Sequence, residues 1–154
     1  MNLKELSIHT LETLSADDMK KIVDCIEDSF SKKLNPAFLS KTFEKVFFFN
    51  DWKGVGIVKN LNGFFYLDKL AIRQKFRGSG LGNLLLSFII EHSKSLIWRS
   101  SRENIFQEFY FKFCDGFIRT PNWNIFWVHY SLDSNLIQMI QQLSQTPADF
   151  DELK

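Results

Sequence analysis

Six consecutive residues, Arg77-Gly78-Ser79-Gly80-Leu81-Gly82, place three glycines where an apolar run ends and an amphipathic pattern begins. FFYLDKLAI precedes them at 64–72, and NLLLSFIIEHSK follows at 83–94. That order predicts a buried strand, a loop and a helix. Glycines at this spacing let a backbone bend tightly and approach a ligand closely. Amides at the helix start, with the positive end of the helix dipole behind them, form an anion site. The anion expected is a pyrophosphate. The spacing Gly-x-Gly-x-Gly is not the Gly-x-Gly-x-x-Gly of a dinucleotide site, and no Gly-Lys-Ser/Thr follows. A glycine-rich turn that binds nothing is the competing reading, and the flanking strand and helix favour the anion site.

Three basic residues, Lys69, Arg99 and Lys32, have surroundings that bear on what they could do. Lys69 is an ammonium inside an otherwise apolar strand, so it needs a partner. Asp68 points to the opposite face in regular pleating and would serve poorly. Arg99 lies at the carboxyl end of a strand expected at 95–101, close to where ligands sit in parallel sheets. A guanidinium there can grip a carboxylate with two bonds. Lys32 fits a solvated lysine at a helix end as well as it fits a ligand.

The elements that must position these groups follow in order. Residues 3–10 alternate weakly as a first strand. Ser15 caps a helix over 16–31, with Asp17 and Asp18 in its first turn and Met19, Ile22, Val23, Ile26 and Phe30 at helical spacing. Asn35-Pro36 opens a second helix ending near Lys45. Strands are expected at 46–49, 55–59 and 64–72, the last two joined by the hairpin signal Asn62-Gly63. A helix over 80–94 leads to the strand at 95–101, and a unit of this size should be parallel and right-handed. A helix over 103–113 stops at Gly116, strands follow at 117–120 and 124–131, and 134–145 is weakly helical. Residues 147–154 read as an acidic, frayed tail. The layout is α+β around one mixed sheet in a single domain, 1–154.

Composition sets bounds on function. The chain has 154 residues, 45% of them apolar, including 17 Phe, which excludes a disordered chain. A formal net charge of +1 gives no electrostatic footprint for nucleic acid. No apolar run approaches a membrane span and the N-terminus lacks a signal-peptide core, so no membrane and a cytoplasmic location are expected. Cys25 and Cys114 read as reduced core thiols. His9, His92 and His129 form no ligand cluster with them, so no metal is expected.

The loop matches the Gln/Arg-x-x-Gly-x-Gly/Ala element of the GNAT acetyltransferase superfamily, with Arg77, Gly80 and Gly82 in the motif positions. Further motifs occur in order: Ser29-Phe30-Ser31-Lys32-Lys33-Leu34, Tyr66-Leu67-Asp68-Lys69-Leu70, Trp98-Arg99-Ser100, Asn104, Tyr110-Phe111, Asp115-Gly116 and Trp123-x-x-Phe126-Trp127. Over about residues 15–131 the chain resembles the acetyltransferase domain of N-acetylglutamate synthases. In vertebrate-type and some bacterial enzymes this domain follows an amino-acid-kinase domain, which this sequence lacks.

The resemblance implies a GNAT fold with a splayed parallel strand pair and a β-bulge near Leu70. It implies acetyl-CoA as co-substrate, its pyrophosphate on Arg77–Gly82 and its pantetheine paired with Leu70, Ala71 and Ile72. It implies L-glutamate or a similar amino acid as acceptor, its carboxylates on Lys32, Lys69 and Arg99. Asn104 and Tyr110 become catalytic-centre residues, with Tyr110 protonating the CoA thiolate in a direct transfer. A homodimer, or a separate amino-acid-kinase subunit, is the expected partner. The family reads Trp-Arg-Ser-Arg where this chain has Trp98-Arg99-Ser100-Ser101-Arg102. Arg102 takes over the second arginine's role if the strand has ended there. Other acceptors, succinyl-CoA as donor, and a non-catalytic partner of a kinase domain remain open alternatives.

Overall fold

The computed structural model describes residues 5–35, 37–38, 43–104 and 107–150. A seven-stranded sheet runs through them, built from β1 (Ile8–Leu11), β2 (Lys45–Phe49), β3 (Gly54–Leu61), β4 (Phe64–Ile72), β5 (Leu96–Ser101), β6 (Gly116–Arg119) and β7 (Trp123–Val128). Its spatial order is β1-β2-β3-β4-β5-β7-β6. All neighbours are antiparallel except β4 and β5, which are parallel and joined through α2 (Leu81–Ser93). The expected α+β layout with one parallel pair is therefore the observed one.

Strand alternation gives the sheet two apolar faces. On one, Phe47, Phe49, Val58, Leu67, Trp98 and Phe126 pack with Leu81, Leu85, Leu86 and Ile89 of α2. The other face carries two clusters. Val55, Ile57 and Ala71 pack on Ile22, Cys25 and Ile26 of α1 (Ala16–Phe30). Tyr66, Ile97, Ile125 and Trp127 pack on Leu136, Met139, Ile140 and Leu143 of α4 (Ser134–Gln145). Two helices thus share one face of the sheet.

Local chemistry explains where the helices begin. Ser15 and Asp18 form a reciprocal capping box at α1, each side chain accepting from the other's backbone amide at 3.0 Å. Asp133 accepts from the Leu136 amide at 3.0 Å and starts α4.

Several boundaries differ from the sequence reading. The first strand starts at Ile8, because its register is fixed by pairing Ile8 with Phe49 and Leu11 with Val46. The helix expected from Asn35 to Lys45 falls largely outside the described residues. The helix expected over 103–113 is a single turn, α3 (Gln107–Tyr110), among the described residues. Gly116 opens β6 instead of ending a helix, since the neighbouring Asp115 amide already donates to the Trp127 carbonyl at 2.8 Å. The expected frayed tail is packed over 147–150: Phe150 bridges to Leu34 and its ring lies 5.0 Å from that of Phe30. Residues 151–154 lie outside the described set.

Candidate active site

β4 and β5 pair only at Tyr66 with Ile97 and Leu67 with Trp98, and then diverge. Between the diverging ends lies a cleft of about 640 Å³. The gap exposes backbone that would otherwise be laddered. The Ile72 amide points into it and donates to Ser29 Oγ at 3.2 Å. By alternation, the Leu70 peptide groups face the same way. The Ala71 side chain is fully buried toward α1, so only its backbone is relevant to the gap.

The glycine loop closes one end of the cleft. Gly78 and Gly80 have φ of +78° and +84°, and a Cβ at either would meet no atom within 4 Å. Glycine is needed there for conformation, and the space it leaves faces outward. Gly80 is the N-cap of α2 and supplies no side-chain cap. The first-turn amides of α2 therefore have no side-chain acceptor from the cap residue, the arrangement an anion requires. Ser79 Oγ donates back to the Phe76 carbonyl. The Arg77 guanidinium donates to the Ser29 carbonyl in the last turn of α1 and so ties the loop to that helix.

On the α2 face the cleft wall carries Tyr110, Trp98 and Ser100. The Tyr110 ring lies 4.5 Å from Phe109, 5.5 Å from Phe126 and edge-on to Trp98 at 6.1 Å. Burial pushes its phenol up to about 12. Among the described residues nothing hydrogen-bonds its hydroxyl. Trp98 Nε1 and Ser100 Oγ, two further polar atoms of this wall, are buried without a partner among the described residues. Asn104 lies just beyond β5, its amide donating to the Ser101 carbonyl at 3.1 Å, and it also lines the cleft.

The opposite face carries the charges, and a bulge puts them there. Val58 pairs with Leu67 and Ile57 with Lys69, so Asp68 is an extra residue in β4. The bulge lies at Asp68, two residues before the expected Leu70. It breaks the alternation, and Lys69 turns to the face shared with Tyr66 and Arg99. The expectation that Asp68 points away from Lys69 is thereby corrected: Lys69 Nζ lies 2.9 Å from Asp68 Oδ1 and 2.7 Å from Asp149 Oδ2. Lys59 Nζ lies 3.6 Å from Asp68 Oδ2. A chain of alternating charge, Lys59, Asp68, Lys69, Asp149, thus lies largely buried at the cleft.

Arg99 is bound differently from the expected carboxylate clamp. Its guanidinium donates to the carbonyls of Leu143, Thr146 and Pro147 at 2.6, 2.5 and 3.0 Å and stacks 3.6 Å over Trp123. Burial raises the pKa of the neighbouring Tyr66, and the Arg99 charge partly offsets this. Lys32 is exposed at the end of α1, 5.8 Å from the Phe150 ring, and lines the cleft. Arg102 follows the end of β5, as its substitute role requires. It sits outside the cleft wall and reaches the Pro121 carbonyl at 3.4 Å. Asp149, Phe150, Tyr66 and Trp123 were absent from the sequence-based site. A lone Phe within an acidic stretch was the available hint for the first two.

Residues 4–146 match the family described as NAT, N-acetyltransferase, of N-acetylglutamate synthase. The chain belongs to that family. Relatives of this NAT domain include the amino-acid acetyltransferase, mitochondrial, of Debaryomyces hansenii, 30% identical over 80% of this chain and 24% of its own length. The acetylglutamate kinase of Xylella fastidiosa is 29% identical over 85% of this chain and 30% of its own length. The NAT domain thus spans under a third of either relative. Its fold is that of GNAT acetyltransferases. The NatC complex bound to Gag peptide and CoA contains a chain that superimposes with a TM-score of 0.64 at 16% identity, covering 82% of this chain and 99% of that one.

Proposed function

We propose that this NAT domain transfers an acetyl group from acetyl-CoA to the α-amine of L-glutamate. One observation carries the reading. The bulge at Asp68 turns Lys69 to the Arg99 side of the sheet, in the same cleft as the glycine loop and Tyr110. Cations for an acidic acceptor then meet an anion-binding helix start across the strand gap.

The residues divide the work accordingly. Amides of the glycine loop and the first turn of α2 hold the pyrophosphate. The Leu70 backbone in the gap pairs with pantetheine. Lys69, Arg99 and Lys32 attract the acceptor's carboxylates, and Asn104 contacts the acceptor at the cleft. The acceptor amine loses a proton to water and attacks the thioester carbonyl, the carbon–sulfur bond breaks, and the second proton shed by the nitrogen passes through water to restore the Tyr110 phenol. Tyr110, held neutral by burial, donates its proton to the departing sulfur. No acyl-enzyme is required.

The test is thiol release from acetyl-CoA that depends on L-glutamate and yields N-acetylglutamate. Thiol release unaffected by glutamate would sink the assignment. The relatives' greater length and the kinase name of one support a partner, an amino-acid-kinase domain in the same or a separate chain. A second reading has its own support: Lys69 and Arg99 are already engaged by this chain's own groups, which suits an acceptor with fewer carboxylates. A panel of amino acids and acyl-CoAs separates the two.

A further inference from the structure

Two of the three cations assigned to the acceptor, Arg99 and Lys69, are held by one short piece of the chain. Residues 146–150 leave α4 and cross the acceptor end of the cleft. Three carbonyls at the end of α4 and just beyond it accept from Arg99. The Asp149 carboxylate sits 2.7 Å from Lys69 Nζ. Asp149's own carbonyl accepts from the Asn35 amide at 2.6 Å. The Phe150 ring rests 5.0 Å from Phe30 and 5.7 Å from Lys69 Nζ. These contacts seal the segment on both sides of the lysine, and Asp149 is 8% exposed.

We infer that residues 146–150 are a strap that mimics the acceptor: the Asp149 carboxylate occupies the seat on Lys69 that an acceptor carboxylate requires. The inference rests on the acidic-acceptor reading above. Lys69 lies between Asp68 and Asp149 in a nearly closed space, so a third carboxylate enters only by replacing one of the two. Asp68 cannot leave, because it is fixed in the bulge of β4. Asp149 is carried on a segment beyond the last helix and can leave with it. Strap docking and acceptor binding therefore exclude one another. The docked strap imposes a threshold that an amino acid without a side-chain carboxylate cannot pay back at Lys69. Selectivity for an acidic side chain then comes from the exchange of one carboxylate for another.

The test uses the full chain with CoA present and reads hydrogen exchange of the amides at 144–150 together with steady-state kinetics. L-Glutamate is expected to speed exchange in this segment, while L-norvaline, of similar length without the second carboxylate, leaves it unchanged. Asp149→Asn is expected to lower the KM for glutamate about tenfold, the factor by which a competing docked state dilutes the competent one. Phe150→Ala, which loosens the same strap and leaves the Asp149 carboxylate in place, should shift KM in the same direction. Glutamate turnover with strap exchange and KM unchanged overturns the strap and leaves the acceptor assignment standing. A raised KM in Asp149→Asn also overturns it, and makes Asp149 part of the acceptor site. No acetyl transfer to glutamate by wild type or either variant overturns the acceptor assignment, and the strap falls with it.

Discussion

Asp68 and Lys69 are neighbours in the chain, yet their charged groups meet 2.9 Å apart on one side of the sheet. In an unbroken strand they would stand on opposite faces. The extra residue in β4 removes that separation and leaves Lys69 between two carboxylates, with side chains only 9%, 3% and 11% exposed for Lys69, Asp68 and Asp149. Removing the lysine alone takes the nearest cation from two buried carboxylates. Lys69→Met should cost about 3 kcal/mol or more, or a fall in melting temperature of roughly 6–12 °C for a domain of this size. Adding Asp149→Asn should recover part of that loss, a coupling that a double-mutant cycle by thermal unfolding would read. Additive losses would mean that the pair does not interact.

Tyr110 offers a cleaner separation of chemistry from folding. Its hydroxyl bonds to nothing among the described residues, so Tyr110→Phe should leave the melting temperature nearly unchanged. Loss of the proton donor should lower kcat by about 100-fold or more, with little change in the KM for either substrate. Pre-steady-state thiol release, compared with steady-state turnover, would show whether the lost step is the chemical one.

The glycine loop makes a third case. Gly80→Ala puts a Cβ on a residue at φ +84°, and the strain should cost roughly 1 kcal/mol. Because Gly80 caps α2, any relief of that strain re-aims the amides of the first turn. The KM for acetyl-CoA should rise several-fold while the KM for the amino acid stays put. Calorimetric titration with CoA checks this without turnover.

Alkaline pH should destabilise the fold. Burial holds the Tyr110 phenol at about 12, against about 10 for an unfolded tyrosine. Between those values the folded state keeps a proton that the unfolded state releases, so stability is full below pH 10 and declines toward pH 12. Two units amount to roughly 2–3 kcal/mol. The Cys25 thiol, also raised to about 12 by burial, adds to the decline and starts it nearer pH 9. Urea midpoints measured from pH 8 to 11 should fall in wild type and fall less steeply in the Cys25→Ala, Tyr110→Phe double variant, in which Tyr66, also raised by burial, still contributes.

The parts of this site that the sequence shows plainly are those made by local rules. The glycines at 78 and 80 are required by dihedral angles, and the Ser15–Asp18 cap involves residues three apart, so both can be read from a few neighbouring letters. The bulge is less visible because it is a property of a strand pair. Only the register against Ile57 and Val58 shows which residue is surplus, although two adjacent charges in an apolar run point to the place. Asp149 was hidden for a stronger reason: its partner is 80 residues away, and its own surroundings read as a solvated tail. Arg99 lines the cleft, but its three backbone acceptors depend on how α4 ends against β7, which nothing near residue 99 encodes.

The brevity of the β4–β5 junction has a mechanical consequence. Strands β1 to β4 and strands β5 to β7 form two slabs whose shared seam is stitched at Tyr66–Ile97 and Leu67–Trp98 and nowhere further along. A thioester ligand lying in the open part of that seam supplies the missing stitches, so the substrate doubles as mortar between the slabs.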